Sequence, residues 1–149
     1  IGDGNNMANS VIVGCMKCGM DVAIACPKDY RPDKKVLDFA KTVKDAKLTV
    51  TQSCEEAASG ADVMFTDVWA SMGQEEERAK RIAAFQGYQI NEKLMRVANA
   101  GCMVQHCLPA HRGEEITAGV FEAHADEIFD EAENRLHAQK AIMSLLMRK

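Results

Sequence analysis

The sequence is short of the features that mark several classes of protein. Aromatic residues make up only 5% of the chain, there are 3 prolines, and no apolar run approaches the roughly 18 residues that a membrane-spanning helix needs. Lys and Arg are not gathered into a basic stripe, and the formal net charge of −4 argues against a nucleic-acid-binding surface. We therefore expect neither nucleic acid nor a membrane among the partners of this chain.

Six cysteines occur without a secretion signal, which is typical of reduced thiols in a cytoplasmic protein. Two of them form a Cys15-x-x-Cys18 pair inside a helical segment rather than at a strand-to-helix turn, so we assign this pair to packing. The 149 residues, of which 47% are hydrophobic, are enough for the core of one domain spanning residues 1–149.

A glycine turn stands at the very start of the sequence. Ile1-Gly2-Asp3-Gly4 leaves no room for the strand that ordinarily precedes a glycine turn. We therefore expect the first strand of the fold to be truncated and the chain to be the second half of a longer protein.

Short apolar segments of the strand type alternate with helical segments along the rest of the chain. This alternation predicts an α/β fold, a three-layer αβα doubly wound parallel sheet of the Rossmann-like type with about five strands. In the usual order 3-2-1-4-5, the first, fourth and fifth strands are neighbours. Strands are predicted at 21–26, 47–52, 61–66 and 102–104, and helices at 7–20, 33–46, 53–60, 75–85, 91–99, 117–124 and 131–147.

Polar or reactive stretches follow the first, fourth and fifth strands of this predicted order. They are Gly2–Asn6, Thr66–Gly73 and His106–Pro109, whereas the other two strands are followed by plain loops. Because ligands bind at the carboxyl ends of parallel strands, the three stretches predict one site.

The Gly2-Asp3-Gly4 stretch is only a partial dinucleotide-binding motif. Met7 stands at the third glycine position, and Cys26 and Pro27 stand where a ribose-binding acid is needed, so we do not expect a nicotinamide cofactor. Two interpretations stay open. Either the Asn6 amide and the helix N–H groups bind an anion, or Asn5 and Asn6 only cap the helix.

Asp67 and Cys107 are the strongest candidates for substrate-binding or catalytic residues. The Asp67 carboxylate at a strand end can hold a substrate ammonium group, or it is a loop acid that caps the chain. Cys107 is a nucleophile beside His106, a buried strand thiol, or part of a metal site. The metal alternative joins Cys102, His106, Cys107 and His111, but this spacing matches no structural zinc pattern.

Arg135 is predicted to lie on the first turn of the last helix. Its guanidinium group can bind an anion with two parallel hydrogen bonds. On residue type alone, a surface ion pair is an equally ordinary role.

Four stretches together resemble one family, in the right order and over nearly the whole chain. Gly-Asp-Gly-Asn-Asn, Thr-Asp-Val-Trp-Ala-Ser-Met-Gly-Gln-Glu, His-Cys-Leu-Pro-Ala-His-Arg-Gly-Glu-Glu and Glu-Ala-Glu-Asn-Arg are similar to the C-terminal half of the carbamoyltransferases. The Ser-Met-Gly loop and Cys107 resemble the ornithine branch, since the aspartate branch carries proline at the position of Cys107.

The resemblance implies transfer of a carbamoyl group from carbamoyl phosphate to the δ-amine of L-ornithine, giving L-citrulline and phosphate. It implies no metal and no organic cofactor. It also implies a parent enzyme that is a homotrimer or a multiple of trimers, working in arginine synthesis or, in reverse, in arginine breakdown. The roles implied are ornithine binding by Asn6, Asp67, Ser71 and Met72, carbamoyl phosphate binding by Cys107, Leu108 and Arg135, and catalysis by Cys107 and Asp67.

The family's N-terminal domain, with its Ser-Thr-Arg-Thr phosphate-binding loop, has no counterpart in these residues. We therefore expect this chain alone to form the acceptor half-site and to catalyse little or nothing. Two alternatives stay open. One is a stand-alone amino-acid-binding module without catalysis, and the other is a carbamoyltransferase acting on putrescine or N-acetylornithine.

Overall fold

The computed structural model describes residues 1–70 and 77–148. It has parallel strands alternating with helices, which confirms the predicted α/β class. The strands are β1 (Val22–Ala25), β2 (Leu48–Thr51), β3 (Val63–Thr66) and β4 (Met103–His106). The helices are α1 (Asn6–Lys17), α2 (Lys34–Ala40), α3 (Cys54–Ala58), α4 (Arg78–Ala84), α5 (Glu92–Met95), α6 (Ala118–Ala123) and α7 (Ala125–Leu146).

The strands form two small parallel sheets, β1 with β2 and β3 with β4. Backbone hydrogen bonds of the first two residues connect these sheets. Ile1 N donates to Phe65 O at 2.8 Å, and Gly2 N donates to Ala25 O at 2.9 Å. The start of the chain therefore lies between β1 and β3 and delivers the following residues to the carboxyl ends of both.

Two apolar clusters hold the helices against the strands. Ile12 and Met16 of α1 pack with Ile24 of β1 on one side. On the other side, Val104 of β4 packs with residues of α5, α6 and α7, among them Ile128. None of the helices within the described ranges is long and apolar enough to cross a bilayer.

Side-chain caps start four of the helices as residue type predicts. Their oxygens accept hydrogen bonds from backbone N–H groups one turn into the helix, which satisfies donors that lack an intrahelical partner. The capping residues are Asn5, Ser53, Asn91 and Thr117.

Several predicted boundaries were wrong, among them the end of α5, which lies at Met95 rather than 99. Helix α2 ends at Ala40 rather than 46. The Thr42 hydroxyl donates a hydrogen bond to the carbonyl oxygen of Phe39, and this local bond competes with continuation of the helix. Strand β4 continues to His106 because its parallel register with β3 runs to that residue. Helix α7 begins at Ala125 rather than 131, with acidic residues in its first turn, where they favour the helix dipole.

Gly4 lies where two backbone segments approach closely. A Cβ atom added there would overlap the backbone of Tyr30, Arg31 and Pro32, and Gly4 N donates to Tyr30 O at 2.8 Å. We predict that Gly4→Ala lowers the free energy of unfolding by about 2 kcal/mol or more, in the range typical of overpacked sites. Urea denaturation followed by circular dichroism measures this change.

Gly14 supplies the matched control, because it lies inside α1 and a Cβ added there meets no atom within 4 Å. Gly14→Ala is expected to be neutral or to stabilise the protein by up to about 1 kcal/mol through helix propensity. Equal effects of the two substitutions would contradict the close backbone approach at Gly4.

Candidate functional site

The structure brings together side chains from the start of α1 and from the ends of β3 and β4. Asp67 lies at the centre. Its Oδ2 accepts a hydrogen bond from Asn5 Nδ2 at 3.1 Å, and its Oδ1 accepts from Cys107 Sγ at 3.2 Å and from Val68 N at 2.7 Å. An amide, a carboxylate and a thiol therefore form one connected cluster at the carboxyl edge of the strands.

The Cys107 thiol is held in its protonated form. Burial, followed by the charge and the hydrogen bond of Asp67, raises the pKa of Cys107 to about 12. A thiol that donates to a carboxylate is a poor nucleophile, because the reactive species is the thiolate. The arrangement disfavours the nucleophile interpretation and gives Cys107 the role of a fixed hydrogen-bond donor.

His106 faces away from Cys107 and is fully buried. Its Nδ1 accepts a hydrogen bond from Leu108 N at 2.9 Å, and its Nε2 lies 3.0 Å from Glu115 Oε1. A backbone N–H group can only donate, so Nδ1 carries no proton, and the neutral ring donates from Nε2 to Glu115. His106 thus holds the loop after β4 and does not activate the thiol.

Leu108 has an unusual backbone conformation. Its φ of 55° lies in the left-handed region, and the Leu108–Pro109 peptide bond is cis. A left-handed conformation at a residue other than glycine costs on the order of 1–3 kcal/mol and is often found at functional sites. The bond from Leu108 N to the His106 ring helps to hold this conformation.

A buried ion pair fixes the turn before α1. Arg81 of α4 binds the Asp3 carboxylate and donates from Nε to Trp69 O at 2.5 Å. The guanidinium group also lies 5.0 Å from the centre of the Tyr30 ring. Burial raises the pKa of Asp3, and the charge of Arg81 opposes this shift. The pair ties the Asp3 turn to the segment that follows β3, so it supports Asn5 and Asp67 in their positions.

Glu131 of α7 is a second acidic group beside Cys107. Glu127, one turn earlier in α7, accepts a hydrogen bond through Oε2 from the backbone N–H of Val104 in β4 at 2.9 Å. Burial raises the pKa of Glu131, and the hydrogen bond from the backbone N–H of His106 opposes this shift. The charge of Glu131 in turn adds to the upward shift of the Cys107 pKa. Within the described part of the chain, its buried Oε2 atom has no hydrogen-bond partner.

The family model for the aspartate/ornithine-binding domain of aspartate/ornithine carbamoyltransferases matches residues 1–146 of the chain. The chain belongs to this carbamoyltransferase family.

Individual relatives agree with the family match. The chain is 55% identical over 148 residues to an ornithine carbamoyltransferase of Geobacter sulfurreducens, a match that covers 99% of this chain and 49% of that protein. The crystal structure of an anabolic ornithine carbamoyltransferase from Campylobacter jejuni superposes with a TM-score of 0.93 at 42% identity, covering 97% of this chain and 49% of the other. An ornithine carbamoyltransferase structure from Gloeobacter violaceus gives a TM-score of 0.88 at 45% identity, covering 99% and 50%. The chain therefore spans about half the length of the relatives it matches.

The remaining predicted residues of this carbamoyltransferase domain are placed as follows. Asn6 is exposed as the first residue of α1, and its neighbour Asn5 is the capping residue. Arg135 is exposed in the middle of α7; its predicted place on a first turn was wrong because that helix begins at Ala125. Ser71 and Met72 lie outside the described residues.

The metal alternative built on Cys102, His106, Cys107 and His111 is not supported. Over residues 1–70 and 77–148, the potential ligands that gather are instead His111, Glu114 and Glu115. His106 is engaged with Glu115 and Cys107 with Asp67.

Sequence reasoning missed several residues that shape this site. Asn5 was treated only as a possible cap, although an N-cap amide placed after a strand end has a free N–H group to offer. The interactions of Glu115, Glu131 and the Asp3–Arg81 pair left no local signal, because each joins residues from different elements of the fold.

Proposed function

We propose that residues 1–149 form the ornithine-binding domain of an ornithine carbamoyltransferase. This enzyme transfers the carbamoyl group of carbamoyl phosphate to the δ-amine of L-ornithine and releases L-citrulline and phosphate. The observation that carries the proposal is the Asp67 carboxylate, held by Asn5 and Cys107 at the strand ends of a chain that belongs to the family. On their own, residues 1–149 would bind ornithine without turnover.

We propose further that the domain is a doubly wound, three-layer sheet of about five strands. The Ile1–Gly2 segment would be the end of the central strand, since its hydrogen bonds reach β1 on one side and β3 on the other. The spatial order would then be β2, β1, the first segment, β3 and β4, which corresponds to 3-2-1-4-5. This order explains why Asn5, Asp67 and Cys107 meet.

In this proposal Asp67 receives the α-ammonium group of ornithine. Among the described residues, the groups that donate hydrogen bonds to it are an amide, a backbone N–H and a thiol, and none of these is a cation. A substrate ammonium group would supply a charge-assisted bond. Asn6, exposed beside this cluster, would contact the ornithine carboxylate, and Ser71 and Met72 would also take part in ornithine binding.

Cys107 would orient the δ-amine and act by positioning it. The amine must be neutral to attack carbamoyl phosphate, but a thiol with its pKa raised to about 12 is not a base at neutral pH. Leu108 would contribute a backbone contact to the carbamoyl group. Arg135 would bind carbamoyl phosphate and stabilise the negative charge that develops on the carbamoyl oxygen in the transition state.

The remaining expectations for the parent enzyme are also proposals. We expect no cofactor in the reaction, a homotrimer or a multiple of trimers, and a cytoplasmic location, for which the six free cysteines are the support.

A panel of acceptors tests the proposed function. The protein that contains this chain is supplied with carbamoyl phosphate and with ornithine, putrescine, N-acetylornithine or aspartate in turn, and carbamoylated product is measured. We expect ornithine to give the largest kcat/KM. A larger kcat/KM for putrescine or N-acetylornithine would show that ornithine is not the preferred acceptor. Binding of ornithine without turnover of any acceptor would favour the amino-acid-binding module without catalysis.

A further inference from the structure

The loop between β4 and α6 carries a cluster of potential metal ligands outside the acceptor site. His111, Glu114 and Glu115 each offer a ligand atom, and these atoms all lie within 4.8 Å of one another. His111 Nδ1 lies 3.7 Å from Glu114 Oε2, which is too long for a hydrogen bond. Across the described ranges, His111 Nδ1, Glu114 Oε2 and Glu115 Oε2 are buried atoms without a hydrogen-bond partner.

The second carboxylate oxygens of Glu114 and Glu115 have partners outside the cluster. Glu114 Oε1 binds Arg78 of α4. Glu115 Oε1 accepts from the His106 ring at 3.0 Å and from His111 N at 2.6 Å. Partners of this kind, bound to the outer atoms of each ligand, are what orients metal ligands in proteins.

The burial of Glu115 adds to the evidence for a cation. Its side chain is 0% exposed, and the two groups that donate to it, the His106 ring and His111 N, both bind Oε1 and not Oε2. Burying a carboxylate without a cation is costly unless the group is fully hydrogen-bonded, and Oε2 is not. Arg78 offsets only the charge of Glu114.

We propose that His111, Glu114 and Glu115 bind one divalent transition-metal ion, with Zn²⁺ as the best fit. Imidazole nitrogen and carboxylate oxygen are both zinc ligands, and three protein ligands leave a fourth position of the tetrahedron for water. Zinc–ligand bonds of about 2.0–2.2 Å place neighbouring ligands roughly 3.3–3.6 Å apart. The 3.7 Å pair therefore needs little movement, and a pair at the 4.8 Å limit would close by about 1.2–1.5 Å.

The bound ion would stabilise the loop that carries Leu108. Glu115 would link the metal to His106, and His106 Nδ1 holds Leu108 N. The ion would act on structure and take no part in carbamoyl transfer, so this proposal stands or falls separately from the proposed function.

Zinc titration of the chelator-treated protein tests the site. We expect one high-affinity Zn²⁺ per chain by equilibrium dialysis, and a weakening of at least about tenfold in both His111→Ala and Glu114→Gln. The matched control is His137→Ala. His137 pairs with Glu133 at 2.9 Å on the exposed face of α7. This pair combines a histidine and a glutamate, as the proposed site does, but lacks a third ligand. Zinc should also raise the Tm of the wild type and of His137→Ala by mass action, and not that of His111→Ala.

Binding of zinc by cysteine thiolates is the main competing outcome, because all six cysteines are free. Co²⁺ used as the probe should show no thiolate charge-transfer absorption, and Cys107→Ser should keep its zinc affinity. The proposal is overturned if no tight Zn²⁺ site is found, or if His111→Ala and Glu114→Gln bind as the wild type does. Loss of binding in Cys107→Ser would also overturn it.

Discussion

Replacing Asp67 with Asn is expected to lower kcat/KM for ornithine roughly 30- to 3000-fold. The amide keeps the size of the carboxylate and can still accept from Asn5, but it removes the negative charge that would hold the α-ammonium group. Loss of one partner of a desolvated charge pair costs about 2–5 kcal/mol, which corresponds to this range at about 1.4 kcal/mol per tenfold. Steady-state kinetics with ornithine varied at saturating carbamoyl phosphate measure the effect.

Asp62→Asn is the matched control for this substitution. Asp62 precedes the same strand, β3, at its opposite end and accepts from Asn99 Nδ2 at 2.7 Å, much as Asp67 accepts from Asn5. We expect it to leave kcat/KM for ornithine within about threefold of the wild type, because it lies away from the carboxyl ends where ligands bind. Similar losses in the two variants would point to damage to β3 rather than to a lost substrate contact.

Alkylation of Cys107 by iodoacetamide is expected to be about a thousandfold slower at pH 8 than that of an unperturbed thiol. The pKa of Cys107 is raised from 9.0 to about 12, so the thiolate fraction falls by about that factor. The sign follows from both causes: burial disfavours the charged thiolate, the Asp67 carboxylate disfavours a second negative charge beside it, and the neutral thiol persists up to about pH 12. The rate should therefore rise about tenfold per pH unit through pH 10, which site-resolved mass spectrometry can follow.

Exposed Cys18 in the same protein is the internal reference for this experiment. Asp67→Asn should accelerate alkylation of Cys107, because the charge that raises its pKa is gone, and should leave the rate at Cys18 unchanged. A rate at Cys107 that reaches its plateau near pH 9 would contradict the buried, carboxylate-bound thiol.

The predictable parts of the fold are those that local chemistry determines. Strands β1, β2 and β3 lie within their predicted ranges because short β-type apolar runs are bounded by polar or turn residues. Asn5, Ser53 and Asn91 cap helices because their side chains replace missing backbone acceptors. The chain order of the strands, combined with the handedness of parallel crossovers, was sufficient to predict that Asp67 and Cys107 meet.

The parts that were missed depend on partners far away in sequence. Arg81 binds Asp3 across 78 residues, and nothing near either residue marks the pair. Neighbouring strand residues point to opposite faces, which already argued against His106 as a partner for Cys107, but nothing in the sequence indicated that the Glu115 loop folds back to His106. The starting residue of α7 was missed because α6 and α7 are separated only by His124, which leaves no loop signal between them.

The contact between the Asp67 carboxylate and the α-ammonium group of ornithine is the part of the proposed function that one experiment tests most directly. A thermodynamic cycle tests it by combining Asp67→Asn with 5-aminopentanoate, an acceptor that keeps the carboxylate and the δ-amine of ornithine but lacks the α-amino group. We predict that the wild type loses most of its kcat/KM on this acceptor and that Asp67→Asn loses little, with a coupling free energy of about 2 kcal/mol or more. Equal losses in the two proteins, with a coupling near zero, would show that Asp67 does not contact the α-ammonium group.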